Sequence, residues 1–283
     1  MRITKAIAAA GAAAVLALGM AACASDDSGS GSGGGNGDGG DKSVTIGIKF
    51  DQPGVGFKEG SKYTGFDVDV ANYVAKELGY TDITFKEAKS ADRETLLQSG
   101  QVDMIFASYT INSERQQKVS FAGPYLVAGQ DLLIRSDDSE ITGPDSLNGK
   151  KLCSVTGSTS AQNVKKEFAN KVQLQNYDSY SKCLPALISG NIDALTTDDD
   201  ILAGYAAQPQ YKGKLKVVGQ PFTEEPYGVG IKKGNTDLCK KIDTALTKMV
   251  DSGDWKKALD KNFGDANYTP DDSKNPPEQI ACS

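Results

Sequence analysis

From Val44 onward, apolar and polar positions switch between two periods. Val44, Ile46 and Ile48 recur at every second residue, the spacing of a β-strand. Val70, Ala71, Val74, Ala75 and Leu78 then share one helical face, and Gly79 supplies a stop. The same switching predicts strands near residues 83–85, 102–106, 151–155, 172–174 and 194–196. Helices are predicted near residues 92–99, 161–168, 182–189, 201–207 and 236–251. Strand and helix in alternation imply an α/β fold with mostly parallel sheets.

One stretch occurs twice. Residues 97–105 are echoed by residues 187–195, each reading as a helix end, a glycine and a short strand. Many α/β units end their helices in this way. Here each copy falls late in a βαβ run, which points to two similar lobes. In open α/β sheets ligands gather beyond the C-terminal strand ends. Those ends lead into Ser108-Tyr109-Thr110 in one lobe and Thr197-Asp198 in the other.

The N-terminus follows a different pattern. Arg2 and Lys5 precede an alanine-rich apolar run from Ala6, which ends in Met20-Ala21-Ala22-Cys23. This reads as a signal peptide over residues 1–22. The competing transmembrane reading is weaker, because alanine inserts poorly and no basic flank follows. A cysteine directly after Ala21-Ala22 resembles a bacterial lipobox, which would make Cys23 a lipid-modified (palmitate-bearing) first residue. Residues 23–42 are rich in Gly, Ser, Asn and Asp, and form a flexible tether. Together these features imply a body held on the extracytoplasmic face of the cell membrane.

Composition removes whole classes of chemistry. A formal charge of −6 is the wrong sign for a surface that neutralises phosphates, so nucleic acid is excluded as a partner. The chain has no histidine, which excludes Ser-His-Asp and Cys-His hydrolases and every His-ligated metal. Cys153, Cys183, Cys239 and Cys282 form no C-x-x-C pair, so in an exported chain they read as disulfides. Of the three pairings that four cysteines allow, Cys153–Cys183 with Cys239–Cys282 is the expected one. Residues 143–150 resemble a P-loop with one residue too many, and Lys151 stands where Ser or Thr is required. Ser179-Tyr180-Ser181-Lys182 has S-x-x-K spacing without its companion motifs.

Gly65-Phe66-Asp67-Val68-Asp69-Val70 resembles the signature of the extracellular solute-binding proteins, family 3, that serve polar amino-acid ABC transporters. Ser108-Tyr109-Thr110 followed by Arg115 resembles that family's carboxylate motif. Leu147-Asn148-Gly149-Lys150-Lys151, Thr156-Gly157-Ser158-Thr159, Ala194-Leu195-Thr196-Thr197-Asp198 and Tyr227-Gly228-Val229-Gly230-Ile231 complete the ordered set. Within the family the chain most resembles glutamate-binding lipoproteins of Gram-positive bacteria, through residues 49–54 and Cys153-Ser154-Val155. The resemblance implies a two-lobed, periplasmic-binding-protein-like α/β fold of type II. Two mostly parallel sheets are then joined by crossover strands near residues 126–133 and 225–229. Lobe 1 comprises residues 43–129 and 226–283, and lobe 2 residues 130–225. The implied function is that of a monomeric binding protein without cofactor, metal or catalysis. It captures L-glutamate or a related amino acid and delivers it to the membrane subunits of an ABC permease.

An amino acid carries a carboxylate and an ammonium on one carbon, so a binder needs two opposed charges. Arg115 can clamp the carboxylate bidentately, with Ser108 and Thr110 as further donors. The loop at Ser158 and Thr159 precedes a helix whose N-terminus attracts an anion, although simple N-capping explains the same residues. By resemblance, Asp198 receives the ammonium, while Asp199 and Asp200 are left to cap the next helix. Lys49, after the first strand, and Arg93, at a helix start, match positions that meet the distal carboxylate of acidic ligands. Tyr180 matches a further cleft position. Asp51 is expected to turn into the loop at Gln52-Pro53-Gly54. Alternatives are a glutamine or aspartate binder, a secreted dehydratase-like enzyme on the same fold, and a sensor or adhesion module without a transporter.

Overall fold

Three parallel strands begin the first sheet of this computed structural model, which describes residues 42–168, 171–266 and 268–282. The signal peptide, Cys23 and nearly all of the tether lie outside the described residues. β1 (Ser43–Ile48) is followed by a three-stranded antiparallel flap, β2 (Asp51–Gln52), β3 (Gly56–Glu59) and β4 (Lys62–Thr64). Next come α1 (Phe66–Glu77), β5 (Asp82–Glu87), α2 (Arg93–Gln98), β6 (Met104–Phe106), α3 (Ser113–Lys118) and β7 (Ser120–Ala128). The chain crosses at Gly129 into β8 (Gln130–Arg135), β9 (Lys151–Val155), α4 (Ser160–Asn163) and β10 (Gln173–Tyr177). The second lobe is completed by α5 (Cys183–Ile188), β11 (Ala194–Asp198), α6 (Asp199–Ala207) and β12 (Leu215–Val217). Finally β13 (Glu225–Ile231) returns to the first sheet, followed by α7 (Thr236–Asp251) and α8 (Asp254–Phe263).

The sheets run β5-β1-β6-β13-β7 and β10-β9-β11-β8-β12. In each, one strand opposes the other four, and it is the strand that receives the chain from the other sheet: β13 and β8. This is the two-lobed type II arrangement, and the cleft lies where β6 and β11 end.

The repeated stretch is one local structure used twice. Gly100 and Gly190 take left-handed φ values of 69° and 74°, open to glycine without strain. Gln101 N–H donates to Leu96 O at 3.0 Å, and Asn191 N–H to Ala186 O at 2.9 Å. Asp103 and Asp193 then accept, through their carboxylates, the N–H groups of Thr45 and Lys151 on the neighbouring strand. The clamp sets β6 against β1 and β11 against β9, so both strands deliver their ends to the cleft.

Several expectations are corrected in detail. The strand expected at 102–106 begins at Met104, because Val102 N–H is still turned back onto Leu96 O. The strand expected at 172–174 runs over Gln173–Tyr177, in register with Lys151–Val155. The helix expected over 161–168 is one α-turn, α4, continued as a wider π-turn over Val164–Phe168. The flap, α3, α8 and β12 were not expected. Among them α8 buries Trp255, Ala258, Leu259 and Phe263, and is set off from α7 by Gly253 at φ 74°. Both expected disulfides are present: Cys153–Cys183 ties β9 to α5, and Cys239–Cys282 ties α7 to the C-terminal segment. No helix among the described residues is long and apolar enough to cross a membrane.

Candidate functional site

Ser108 follows β6 at φ 43°, the one non-glycine residue with positive φ among the described residues. Such strain persists only where surroundings hold it. Here the carboxylate of Asp67, at the start of α1, accepts Ser108 N–H at 2.8 Å and Tyr125 O–H at 2.7 Å. Asp67 is fully buried, and burial pushes its carboxyl up to about 6 despite these two donors. The signature stretch at residues 65–70 thus supports the turn that enters the cleft.

Three cations converge beside that turn. Lys49, Arg93 and Arg115 are only 5%, 2% and 6% exposed. Arg115 Nη1 donates to Thr110 O at 2.7 Å, and Arg93 Nη1 to Ala107 O at 3.0 Å and Ser108 O at 3.2 Å. Both guanidinium groups lie over the Tyr109 ring, at 4.2 Å for Arg93 and 5.1 Å for Arg115. Burial, reinforced by Arg115, pushes Arg93 down to about 10. Burial first, then the Arg93 charge, holds the Lys49 ammonium well below its ordinary value. Glu94 Oε1 lies 4.0 Å from Arg115 Nε, and Asp51 and Asp67 act on Lys49. Burial and mutual repulsion still hold the Lys49 and Arg93 cations down, and an anion would relieve them.

The opposing lobe supplies Ser158, Thr159, Tyr180 and Asp198. Tyr180 O–H donates to Ser158 Oγ at 2.9 Å, which also accepts Ser160 N–H at 3.1 Å. Asp198 ends β11 with Oδ2 accepting Tyr227 O–H at 2.6 Å, while its buried Oδ1 has no partner. Burial, then the Glu225 charge, raises the Asp198 carboxyl well above its ordinary value. An arriving ammonium would satisfy the free oxygen and favour the ionised form.

Eight of the nine predicted ligand residues, namely Arg93, Ser108, Thr110, Arg115, Ser158, Thr159, Tyr180 and Asp198, line one cleft cavity. Lys49 does not line it; its Nζ donates to Ser90 Oγ at 2.7 Å, and Ser90 faces the cavity. Two hydroxyls expected as ligand donors are otherwise engaged. Thr110 O–H donates to Glu225 Oε2 at 2.7 Å and Ser108 O–H to Gln52 Oε1 at 3.1 Å, since a buried hydroxyl must find an acceptor. Asp199 and Asp200 sit in the first turn of α6, accepting the N–H groups of Asp200 and Ile201, but both also do more. Asp199 accepts Gly129 N–H at the crossing, and Asp200 lies against Tyr227. Asp51 does not merely turn the flap: its backbone oxygen accepts Tyr205 O–H at 2.6 Å from the other lobe. Sequence reasoning missed Ser90, Thr197 and the supports Gln52, Asp67, Glu225 and Tyr227. Gln52, Asp67 and Tyr227 lie inside recognised motifs and Glu225 beside one; their roles are contacts distant in the chain and carry no local pattern.

The lobes are closed on each other. Lys89 and Asp178 pair at 2.9 Å across the cleft, and Arg115 Nη2 donates to Gly157 O at 3.3 Å. A Cβ on Gly204 would stand 1.9 Å from Pro53 O, and one on Gly157 would stand 2.6 Å from the Ala91 backbone. Only glycine permits these approaches. The closed cavity is about 10 Å³, so a ligand enters when the lobes part. A larger cavity of about 620 Å³ lies between α8 and the C-terminal segment, but no buried charge lines it. Among the described residues the one group with metal-ligand spacing is Cys239, Asp243 and Cys282, and its sulfurs are joined as a disulfide.

Residues 44–265 match the bacterial extracellular solute-binding proteins, family 3. The chain is 46% identical over 236 residues to glutamate-binding protein GluB of Corynebacterium glutamicum, covering 79% of each. It is 38% identical to the ABC transporter glutamine-binding protein GlnH of Bacillus subtilis, covering 77% of this chain and 80% of that one. An ancestral arginine-binding protein bound to glutamine superposes with TM-score 0.73 at 37% identity, over 78% of this chain and 98% of that one. These relatives are binding proteins, not enzymes.

Proposed function

Because the chain belongs to the bacterial extracellular solute-binding proteins of family 3, we propose that it captures L-glutamate between its lobes and delivers it to an ABC permease. The observation that carries this reading is the gathering of Arg93 and Arg115, with Lys49 behind them through Ser90, on one wall of a cleft whose other wall presents Asp198. A ligand with two carboxylates and one ammonium matches that charge pattern. Arg115 takes the α-carboxylate, Asp198 the ammonium, and Arg93, backed by Lys49 through Ser90, the distal carboxylate. The GluB relative supports the same choice. Binding involves no covalent step; closure buries the ligand, as the handover to a permease requires.

The GlnH relative raises glutamine as the second reading, and selectivity decides between them. Glutamine places an amide N–H₂ against donors that cannot accept from it. Such an unmatched contact in a desolvated site costs about 1–3 kcal/mol, so glutamate is expected to bind at least about tenfold tighter by calorimetry. Replacing Lys49 by methionine and Arg93 by glutamine together should lower glutamate affinity and leave glutamine nearly unchanged. A wild type that prefers glutamine, or a double variant with its glutamate preference intact, removes the pocket assignment.

The tether and lobes also suggest where the protein acts. Residues 1–22 are proposed as a signal peptide and Cys23 as the lipid-bearing residue that holds a monomer at the extracytoplasmic face of the membrane. Labelled palmitate should enter the wild type in cells and fail to enter Cys23→Ala, which should be released to the medium. Equal labelling of both would discard the anchor.

A further inference from the structure

Tyr227 O–H lies 2.6 Å from Asp198 Oδ2 and 3.0 Å from Asp200 Oδ1. A phenol has one proton to donate. If both acids were ionised, one of these two contacts would set a phenolic lone pair against a carboxylate oxygen inside the protein, with no proton between them. One acid must therefore carry a proton and donate it to the tyrosine oxygen. Accepting the reading of Asp198 as the ammonium acceptor, we propose that in the closed form Asp200 is the protonated acid, donating to Tyr227, so that Tyr227 donates to Asp198 and leaves Asp198 as the ionised carboxylate offered to the ligand.

Three observations decide which acid holds the proton. The shorter contact, to Asp198, has the length of an O–H···O⁻ bond, and the longer one that of a neutral pair. Asp200 is 0% exposed and its Oδ2 is buried without a partner. Asp198 Oδ1 is also unpartnered, but Asp198 lines the cavity where the ligand's ammonium can reach it and Asp200 does not, so only Asp200 must tolerate the bare oxygen as a neutral carbonyl. Finally, the groups facing Asp200 offer it no cation: Asp199 on its own helix, Asp198 at the end of β11, Tyr227 on β13, Asp67 on α1, Tyr125 on β7 and Tyr268 beyond α8. Asp198 faces the Glu225 and Asp199 charges as well, but it alone of the two acids also lies within the field of a cation, Arg115. Burial and the neighbouring acids hold the Asp200 carboxyl well above its ordinary value, in keeping with a retained proton. Tyr227 and Asp200 are thus positioning residues, acting on the ligand only through Asp198.

The test uses the glutamate complex at pH 8, where Asp67 and Asp199, both pushed up to about 6, have lost their protons. Infrared spectra of protein carrying ¹³C-labelled aspartate should show a protonated-carboxyl C=O band that Asp200→Asn removes. The asparagine N–H₂ can still donate to Tyr227, so glutamate affinity should stay within about threefold. As pH is raised into the alkaline range its affinity should fall less steeply than that of the wild type, because only the latter has an Asp200 proton to lose. In Tyr227→Phe the acid loses its acceptor, and the band should move to higher frequency. A wild-type complex without the band, a band that survives Asp200→Asn, or one unmoved in Tyr227→Phe overturns the proposal. So does an Asp200→Asn variant that loses affinity as severely as Asp198→Asn. If Asp198→Asn itself binds glutamate normally, the ammonium assignment fails instead, and the band still reports separately on Asp200.

Discussion

Arg115→Ala is expected to weaken binding of every amino acid by about a hundredfold or more, because the α-carboxylate is common to all of them. A hydrogen bond to a charged group contributes about 1.5–3 kcal/mol, and a carboxylate stranded in a closed cleft adds its own desolvation cost. A hundredfold corresponds to about 2.8 kcal/mol, which the two terms reach together. The structure sharpens the expectation. Arg115 is held by Thr110 O, by Gly157 O of the other lobe and by the Tyr109 ring, so its guanidinium is oriented before any ligand arrives. Truncation also removes a contact between the lobes and therefore weakens closure as well as recognition. Calorimetry with glutamate and glutamine should show both falling together. Near-normal affinity for either would place the carboxylate elsewhere.

Asp198→Asn should be comparably harmful, about a hundredfold, but only for ligands that carry an ammonium. Asp198 Oδ1 is the one unpartnered buried side-chain acceptor among the described residues of that wall, and an amide there can present a donor to a cation. Glutarate, which has both carboxylates and no ammonium, should lose far less than glutamate. A parallel loss of glutarate and glutamate would mean that the substitution damages the fold or the closure, and that the ammonium is received elsewhere. Thermal unfolding of the ligand-free variant separates these two outcomes.

Much of this molecule was legible before any coordinates. Helix α7 runs over the residues its periodicity predicts, because sixteen residues with a continuous apolar face report one period clearly. The flap strands, two to four residues long and largely polar, gave no period at all. Helix α3, Ser-Glu-Arg-Gln-Gln-Lys, buries Arg115 alone and so has no apolar stripe to detect. The wide turn after α4 escaped for a related reason: a π-turn is a change in hydrogen-bond partner, which side-chain spacing does not announce.

The sequence by itself determined the architecture and the chemical alphabet of the site. Alternating periods set the α/β class, the doubled stretch set two lobes, and absent histidine removed most catalysis and metals. Motif residues placed eight of nine candidates at the cleft, because strand ends are local features and the topology carries them to one place. Only the tertiary structure decided how those residues are used. Lys49 turned out to stand behind Ser90, Thr110 to give its proton to Glu225, and Asp51 to reach the opposite lobe. Tyr227 joined two acids from another sheet. Each of these is a pairing of buried polar groups far apart in the chain. Which donor meets which acceptor, and which acid keeps its proton, depends on distances of a few ångströms set by packing. Residue identity along a strand cannot encode that by itself.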